Sequence, residues 1–298
     1  MRQNARHAAQ CSESACARGT VVSMPGRYRN AHVGAQLNRR HFIAALSLAT
    51  LSGVGLSRCS LGGQPQVAAA SEPVPAPPPP AVLPPPPRSA RIQLPGGVLS
   101  VLPGDGDLLA LTVDDGVNSD VLRAYTQFAK DTGVRLTYFV NGIYRSWTDH
   151  VDLLRPMVDD GHIQLANHTW SHPNLTKLPL TTVAEEFRHN HDFLWKTYGV
   201  DVRPYFRSPY GASNANVEKV AGDLGYTTDT LWSGDLKDHA VLPAAEIVKN
   251  AEAYFNPQAI VIGHLNHLPV TDVYGEMVDI IRARKLRTVT LDDVFLRA

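Results

Sequence analysis

From residue 107 to the C-terminus, short runs of β-type residues alternate with longer amphipathic segments. The β-type runs cover residues 107–113, 135–140, 163–167, 204–207, 226–232, 259–264 and 287–290. Glycines follow the last turn of four helical patterns, as expected at helix C-termini, and these are Gly133, Gly161, Gly199 and Gly225. The alternation predicts an α/β fold, and the seven repeats favour a distorted, incomplete (β/α) barrel of about seven parallel strands over an open sheet.

The N-terminal part of the chain has the composition of an export signal. An arginine pair at 39–40 precedes an uncharged run of 16 residues over 42–57, and a membrane span needs about 20. This pattern resembles a twin-arginine signal, with a small-residue cleavage site near Ala70. An uncleaved N-terminal anchor is the alternative, and the start at Met1 or Met24 is left open.

A proline-rich segment separates this leader from the strand–helix pattern. Residues 73–87 contain ten prolines, which favour an extended polyproline II spacer and exclude helix or sheet interior. The predicted organisation is therefore a leader over 1–70, a proline-rich linker and lead-in over 71–104, and a single catalytic domain over 105–298.

The charge of the domain argues against nucleic-acid binding, and its cysteine content argues against thiol ligands and disulfides. Residues 1–58 carry eight arginines and one acidic residue, which leaves 20 basic and 27 acidic residues in the rest of the chain. A mildly acidic domain lacks the basic face that nucleic acids need, so we expect no nucleic-acid partner. The three cysteines, Cys11, Cys16 and Cys59, all lie in the leader. The mature domain is therefore predicted to lack thiol ligands and disulfides. Contact with a membrane is expected only through the leader, if the leader is not cleaved.

Polar residues cluster where the predicted strands end. The residues at these positions are Asp114, Asp115, His168, His172, Arg207, Asp235, Asp238 and His264. In a barrel of parallel strands the carboxyl ends form one face, where active sites are built. An Asp-Asp-Gly turn or a surface histidine pair is unremarkable alone, but five such elements in phase with the strands predict one site.

Three of these residues form a set of metal ligands. Asp115, His168 and His172 offer oxygen and nitrogen donors that suit Zn²⁺, with Co²⁺ or another divalent ion as alternatives. Asp114 is then free to act as a base on the attacking water.

Other residues at the strand ends complete a hydrolytic set. Arg207 is positioned to pair with Asp114, keeping it ionised and oriented. His264 is the candidate acid that protonates the leaving group, and either Asp235 or Asp238 orients it and keeps it cationic.

The motifs resemble the polysaccharide deacetylases, carbohydrate esterase family four, over roughly residues 105–298. TVDDG is similar to the family's T-F-D-D-G, HTWSH to H-[S/T]-x-x-H, and RSPYG to R-x-P-Y-G. WSGDLKDH resembles W-S-x-D-x-x-D-W, with His239 in place of the last tryptophan, and IGH resembles L-x-H.

The resemblance implies a distorted barrel with fewer than eight strands and a divalent metal on Asp115, His168 and His172. It implies Asp114 as base, Arg207 as its support, and His264 as acid, tuned by Asp238. The backbone N–H of Tyr210 is expected to hold the oxyanion, and Ile262 and Trp232 to line the acetyl-methyl pocket, with Asp235 also on the substrate side. His239 places the substrate preference in question.

The sequence therefore predicts an exported, metal-dependent hydrolase that removes N-acetyl groups from a wall or chitin-type glycan and releases acetate. Peptidoglycan is the first expected substrate and chitin-type oligomers the second. An O-acetyl xylan esterase and a non-catalytic glycan-binding module are the alternatives. The expected location is the cell envelope or the exterior, reached by the twin-arginine route, and the expected state is a monomer.

Overall fold

Parallel strands and helices alternate through residues 81–297, which are the residues described by this computed structural model. The strands are β1 (Ile92–Gln93), β2 (Gly97–Leu99), β3 (Leu108–Asp115), β4 (Leu136–Val140), β5 (Ile163–Asn167), β6 (Tyr205–Phe206), β7 (Thr228–Thr230), β8 (Gly234–Asp235), β9 (Ala259–His264), β10 (Arg287–Thr288) and β11 (Phe295–Leu296). The α-helices are α1 (Ser119–Thr132), α2 (Ser146–Asp149), α3 (Val151–Asp159), α4 (Leu180–Tyr198), α5 (Ala215–Asp223), α6 (Ala244–Tyr254), α7 (Tyr274–Ala283) and α8 (Leu291–Val294).

Nine of these strands form one curled sheet in which every paired strand is parallel to its neighbour. Its order is β2-β7-β6-β5-β4-β3-β9-β8, and β10 pairs with the start of β3. Among the described strands, β2 and β8 are the two ends of this order and do not pair with each other. The sheet is therefore an incomplete barrel, and β3 lies near its middle with β4 and β9 on either side.

Strand β3 is buried on both faces. This is expected for a strand of a parallel sheet that is covered by helices on its outer face and encloses side chains on its curled inner face. Successive side chains point to opposite faces. Leu111 and Val113 belong to the large core, and Ala110 belongs to a second core with Phe139 of β4 and Ile260 of β9. Thr112 and Asp114 continue the Ala110 face toward the carboxyl end, which places a polar layer above this second core.

The helix ends follow the sequence signals. In α1, the Asn118 side chain accepts hydrogen bonds from the N–H groups of Asp120 and Val121, and the helix ends at Gly133 with φ of 80°. The longest described helix, α4, ends at Gly199 with φ of 73°. Both glycines occupy the left-handed region that a C-terminal cap requires.

The predicted architecture is confirmed, and all seven predicted β-type runs contain a strand. The described sheet has nine strands where about seven were predicted, because β2 and β8 add short, glycine-containing strands at its two edges. Strand β2 pairs with β7, so the sheet begins inside the segment that was predicted to be lead-in.

The predicted leader over 1–70, with its arginine pair and cleavage site, lies outside the described residues, and so does the linker up to residue 80. Within 81–297, the model contains no helix with the length and apolar character of a membrane span.

Candidate active site

Several strands of the sheet end around a cavity of about 500 Å³. Nine of the residues selected from the sequence line it, namely Asp114, Asp115, His168, His172, Tyr210, Trp232, Asp235, Ile262 and His264. The other two, Arg207 and Asp238, are buried behind the wall and hydrogen-bond to residues in it. A concave site with convergent titratable groups at the carboxyl ends of parallel strands has the usual features of an active site.

Asp115, His168 and His172 bring one carboxylate and two imidazoles together. Their ligand atoms all lie within 4.8 Å of one another. Asp115 Oδ1 is 3.7 Å from His168 Nε2 and 3.6 Å from His172 Nε2. One oxygen and two nitrogen donors in this arrangement suit a divalent ion such as Zn²⁺ and leave further coordination positions for water and substrate.

The protonation of His168 also fits a metal ligand. Its Nδ1–H donates to the carbonyl oxygen of Arg207 at 2.8 Å, which leaves the Nε2 lone pair facing the carboxylates of Asp114 and Asp115, 3.5 and 3.7 Å away. Burial is the main cause that lowers the pKa of His168 to about 3, against the opposing effect of Asp115. The imidazole is therefore neutral at neutral pH, which is the form that binds a metal.

The backbone around the ligands adopts uncommon conformations. Asp115 has φ of 80° and His172 has φ of 60°, in the left-handed region that non-glycine residues rarely adopt. Trp147 supports the first of these, because its Nε1–H donates to the Asp115 carbonyl at 3.0 Å. A Cβ on Gly116 would lie 2.2 Å from that same Nε1, so glycine is required after the two aspartates.

Asp114 forms a buried ion pair with Arg207, whose Nη1 donates to Asp114 Oδ1 at 2.5 Å. Arg207 is held in place by Nε donating to the Thr230 carbonyl at 2.6 Å and Nη2 donating to Thr112 Oγ1 at 2.9 Å. Its guanidinium lies 4.1 Å from the ring centroid of Phe139. Burial raises the pKa of Asp114 above its ordinary value, and Arg207 opposes this increase. Asp114 is thus an oriented carboxylate that is more basic than a solvated one.

His264 carries its second nitrogen against a carboxylate. Its Nδ1–H donates to Asp238 Oδ1 at 2.9 Å. Burial alone lowers the pKa of His264, but the Asp238 hydrogen bond and the surrounding carboxylates outweigh burial and raise this pKa to about 9. Of the two aspartates left open by the sequence, Asp238 is the one that contacts His264. Asp235 instead accepts the N–H of Lys237 at 2.6 Å and lines the cavity.

Aromatic and apolar side chains form the rest of the wall. Tyr210 is 69% exposed, and its ring centroid lies 4.6 Å from that of His172, so this residue lies at the rim beside the candidate metal ligands. Trp232 and Ile262 line the cavity. The ring of His239, also in the wall, lies 5.6 Å from that of His264.

Sequence analysis did not select Asn266, Tyr144 or Asp229, which lie in or beside the site. Asn266 lines the cavity and donates from Nδ2 to Asp115 Oδ2 at 2.7 Å. Tyr144 also lines the cavity, and burial and the charge of Asp115 raise its pKa. Asp229 accepts from the backbone N–H and the hydroxyl of Ser208, at 3.1 and 2.9 Å, and so fixes the loop that carries Tyr210. Asn266 alone carried a signal, since it follows a predicted strand by two residues.

Comparison with protein families agrees with the resemblance seen in the sequence motifs. A family model described as polysaccharide deacetylase matches residues 102–228. A chitooligosaccharide deacetylase from Bradyrhizobium sp. (strain ANU 289) is 32% identical over 163 residues, which cover 53% of this chain and 71% of that relative. A peptidoglycan-N-acetylglucosamine deacetylase from Listeria monocytogenes is 28% identical over 191 residues, or 63% of this chain. The match spans only 38% of the length of that relative.

Solved structures show the same fold. The chitin deacetylase of Colletotrichum lindemuthianum superposes with a TM-score of 0.61 at 24% identity, covering 69% of this chain and 94% of that one. A CE4 family pseudoenzyme from Bacillus anthracis superposes with a TM-score of 0.59 at 20% identity, covering 68% and 72% of the two chains. One of these proteins is a chitin deacetylase and the other a pseudoenzyme, so the shared fold does not determine activity and the residues of the site do.

Proposed function

Because the chain belongs to the polysaccharide deacetylase family, we propose that it hydrolyses N-acetyl groups on a glycan with the help of a divalent metal ion. The observation that carries this proposal is the convergence of candidate metal ligands, a candidate base and a candidate acid on one cavity. Three candidate metal ligands, a basic carboxylate on Asp114 and a histidine with a pKa of about 9 all face the same 500 Å³ space.

Asp115, His168 and His172 are the proposed metal ligands. A divalent metal in such a set supplies Lewis-acid polarisation of a carbonyl and makes water a better nucleophile. The supporting observations are the 4.8 Å clustering of the donor atoms and the neutral state of His168.

Asp114 is the proposed general base. It accepts a proton from the water that attacks the acetyl carbon, and Arg207 holds the carboxylate in the orientation that this transfer needs. The backbone N–H of Tyr210 is proposed to donate to the oxygen that gains negative charge in the attack, a stabilisation of about 3 kcal/mol where such donors have been measured.

His264 is the proposed general acid. As the carbon–nitrogen bond breaks, its protonated imidazole donates a proton to the departing nitrogen, so that acetate and a free amine are formed. Its pKa of about 9 keeps it protonated at neutral pH, and Asp238 stabilises that form through the 2.9 Å hydrogen bond. An amine leaves poorly without a proton, so a cationic histidine here suits an amide substrate.

For the glycan, we propose peptidoglycan first and chitin-type oligomers second, since relatives with both activities in their names match this chain. Export to the cell envelope is proposed from the arginine pair, the uncharged run and the proline-rich spacer in the N-terminal sequence.

Acetate release by the purified full-length chain tests the proposal. The substrates are N-acetylglucosamine oligomers, intact peptidoglycan and acetylated xylan, each assayed with a chelator and after addition of Zn²⁺ or Co²⁺. We expect release from the N-acetylated glycans that stops with chelator and returns with metal. Release from xylan alone would identify an esterase. A zinc-loaded chain that releases no acetate from any of the three substrates would contradict the proposed hydrolase and favour the glycan-binding alternative. Asp115→Ala is the control, and it should lose metal and activity together.

A further inference from the structure

The pairing of β3 with β9 brings the residues beyond both strands together. The two strands are parallel, with Asp114 opposite His264. Backbone hydrogen bonds continue past this pair: the Leu265 N–H donates to the Asp114 carbonyl at 2.9 Å, and the Asn118 N–H donates to the Leu265 carbonyl at 2.8 Å. These two bonds fix Leu265, and the following residue, Asn266, then lies beside Asp115.

The contact between Asn266 and Asp115 is directional. Asn266 Nδ2 donates to Asp115 Oδ2 at 2.7 Å, while Asn266 Oδ1 is buried without a hydrogen-bond partner. A carboxylate accepts hydrogen bonds and an amide nitrogen donates them, so the carboxylate determines which end of the amide faces it.

The two oxygens of Asp115 therefore have separate partners. Oδ2 is held by Asn266, and Oδ1 faces the Nε2 atoms of His168 and His172 at 3.7 and 3.6 Å. His168 is held in a similar way, since its Nδ1–H donates to the Arg207 carbonyl. Two of the three candidate ligands are thus oriented by a partner from another strand or its following loop.

We propose that Asn266 is a positioning residue for the metal site, which turns the Asp115 carboxylate so that a single oxygen faces the two histidines. This inference rests on the proposed function, since it assumes that Asp115, His168 and His172 bind a metal. Groups that orient metal ligands in this way typically contribute 10- to 100-fold to metal affinity.

The experiment measures the zinc affinity of the full-length chain by competition with a chromophoric chelator. Asn266→Leu keeps the approximate side-chain shape and removes the donor, and Asn266→Ala is a second variant in case the first does not fold. We expect the dissociation constant for zinc to rise about 10- to 100-fold in both, with the melting temperature of the metal-free chain close to that of the wild type.

Asn256 offers a matched control at the opposite end of β9. Its Nδ2 also donates at 2.7 Å, to the Ala253 carbonyl, so Asn256→Ala removes a similar hydrogen bond away from the cavity. This variant should bind zinc as the wild type does. A change of less than twofold in both Asn266 variants, or an equal loss in Asn256→Ala, would overturn the proposal, and so would a wild-type chain that binds no zinc. A wild-type chain that binds zinc but releases no acetate would refute the proposed function alone and leave the Asn266 result interpretable.

Discussion

Two histidines on the same cavity have opposite acid–base properties. His168 and His264 both have well-buried side chains, 3% and 13% exposed. The pKa of His168 is lowered to about 3, and that of His264 is raised to about 9. Burial lowers the pKa in both cases, so burial cannot account for the difference.

The partner of Nδ1 explains the contrast. In His168 this nitrogen donates to a neutral carbonyl, that of Arg207, and in His264 it donates to the Asp238 carboxylate. A carboxylate stabilises the imidazolium and a carbonyl does so much less, so the first ring stays neutral and the second stays charged. One fold therefore supplies a candidate ligand and a candidate acid from the same residue type.

The largest expected difference between the two histidines is in metal binding. His168→Ala should lose bound zinc and turnover together, because it removes a proposed ligand. His264→Ala should keep its zinc, while turnover falls by about 10²- to 10⁴-fold through loss of the acid. Zinc content by elemental analysis and acetate release on the same preparations measure both.

His267→Ala is the matched control for this pair, because His267 lies three residues beyond His264 but does not line the cavity. It should retain both zinc and activity. Zinc loss in His264→Ala, or full zinc retention in His168→Ala, would contradict the assignment of His168 as a metal ligand and His264 as the acid.

A smaller effect is expected when the Asp238 charge is removed. Asp238→Asn should move the pKa of His264 down from about 9 toward its ordinary value near 6.5, since the main stabiliser of the imidazolium is lost. The acid form is active, so the basic limb of the pH profile of kcat/KM should shift to lower pH, with activity at pH 8 reduced roughly tenfold or more.

Zinc affinity of Asp238→Asn serves as the internal control and should equal that of the wild type, because the proposed ligands are untouched. A basic limb that stays near its wild-type position would remove Asp238 from its proposed role.

Sequence pattern predicted strand bounds best where a strand is buried over nearly its whole length. Strands β5 and β9 have the bounds that the apolar runs predicted, because both are buried over their length. Strands β2 and β8 were missed, since Gly-Val-Leu and Gly-Asp lie in no β-type run and are strands only through their pairing with β7 and β9.

Sequence pattern also predicted part of the site. Strand ends predicted the residues that line the cavity, but not the direction in which loop side chains point. Asp235 and Asp238 lie in one loop and were equivalent in sequence, and only the folded loop distinguishes the partner of His264. The contact of Asn266 with Asp115 depends on the register of β3 with β9, which local sequence does not encode.

The smallest expected effect is on stability, and its sign follows from the raised pKa of His264. The folded chain holds a proton between pH 6.5 and about 9 that the unfolded chain releases. The contribution to the free energy of unfolding is therefore complete below about pH 6.5 and is lost as pH rises through about 9, with an upper bound of about 3 kcal/mol. Urea unfolding of the metal-free wild type and Asp238→Asn at pH 6 and pH 10 should show a stability difference that shrinks at the higher pH. A difference that stays constant would mean that Asp238 stabilises the fold by packing and neutral hydrogen bonding, without charge on His264.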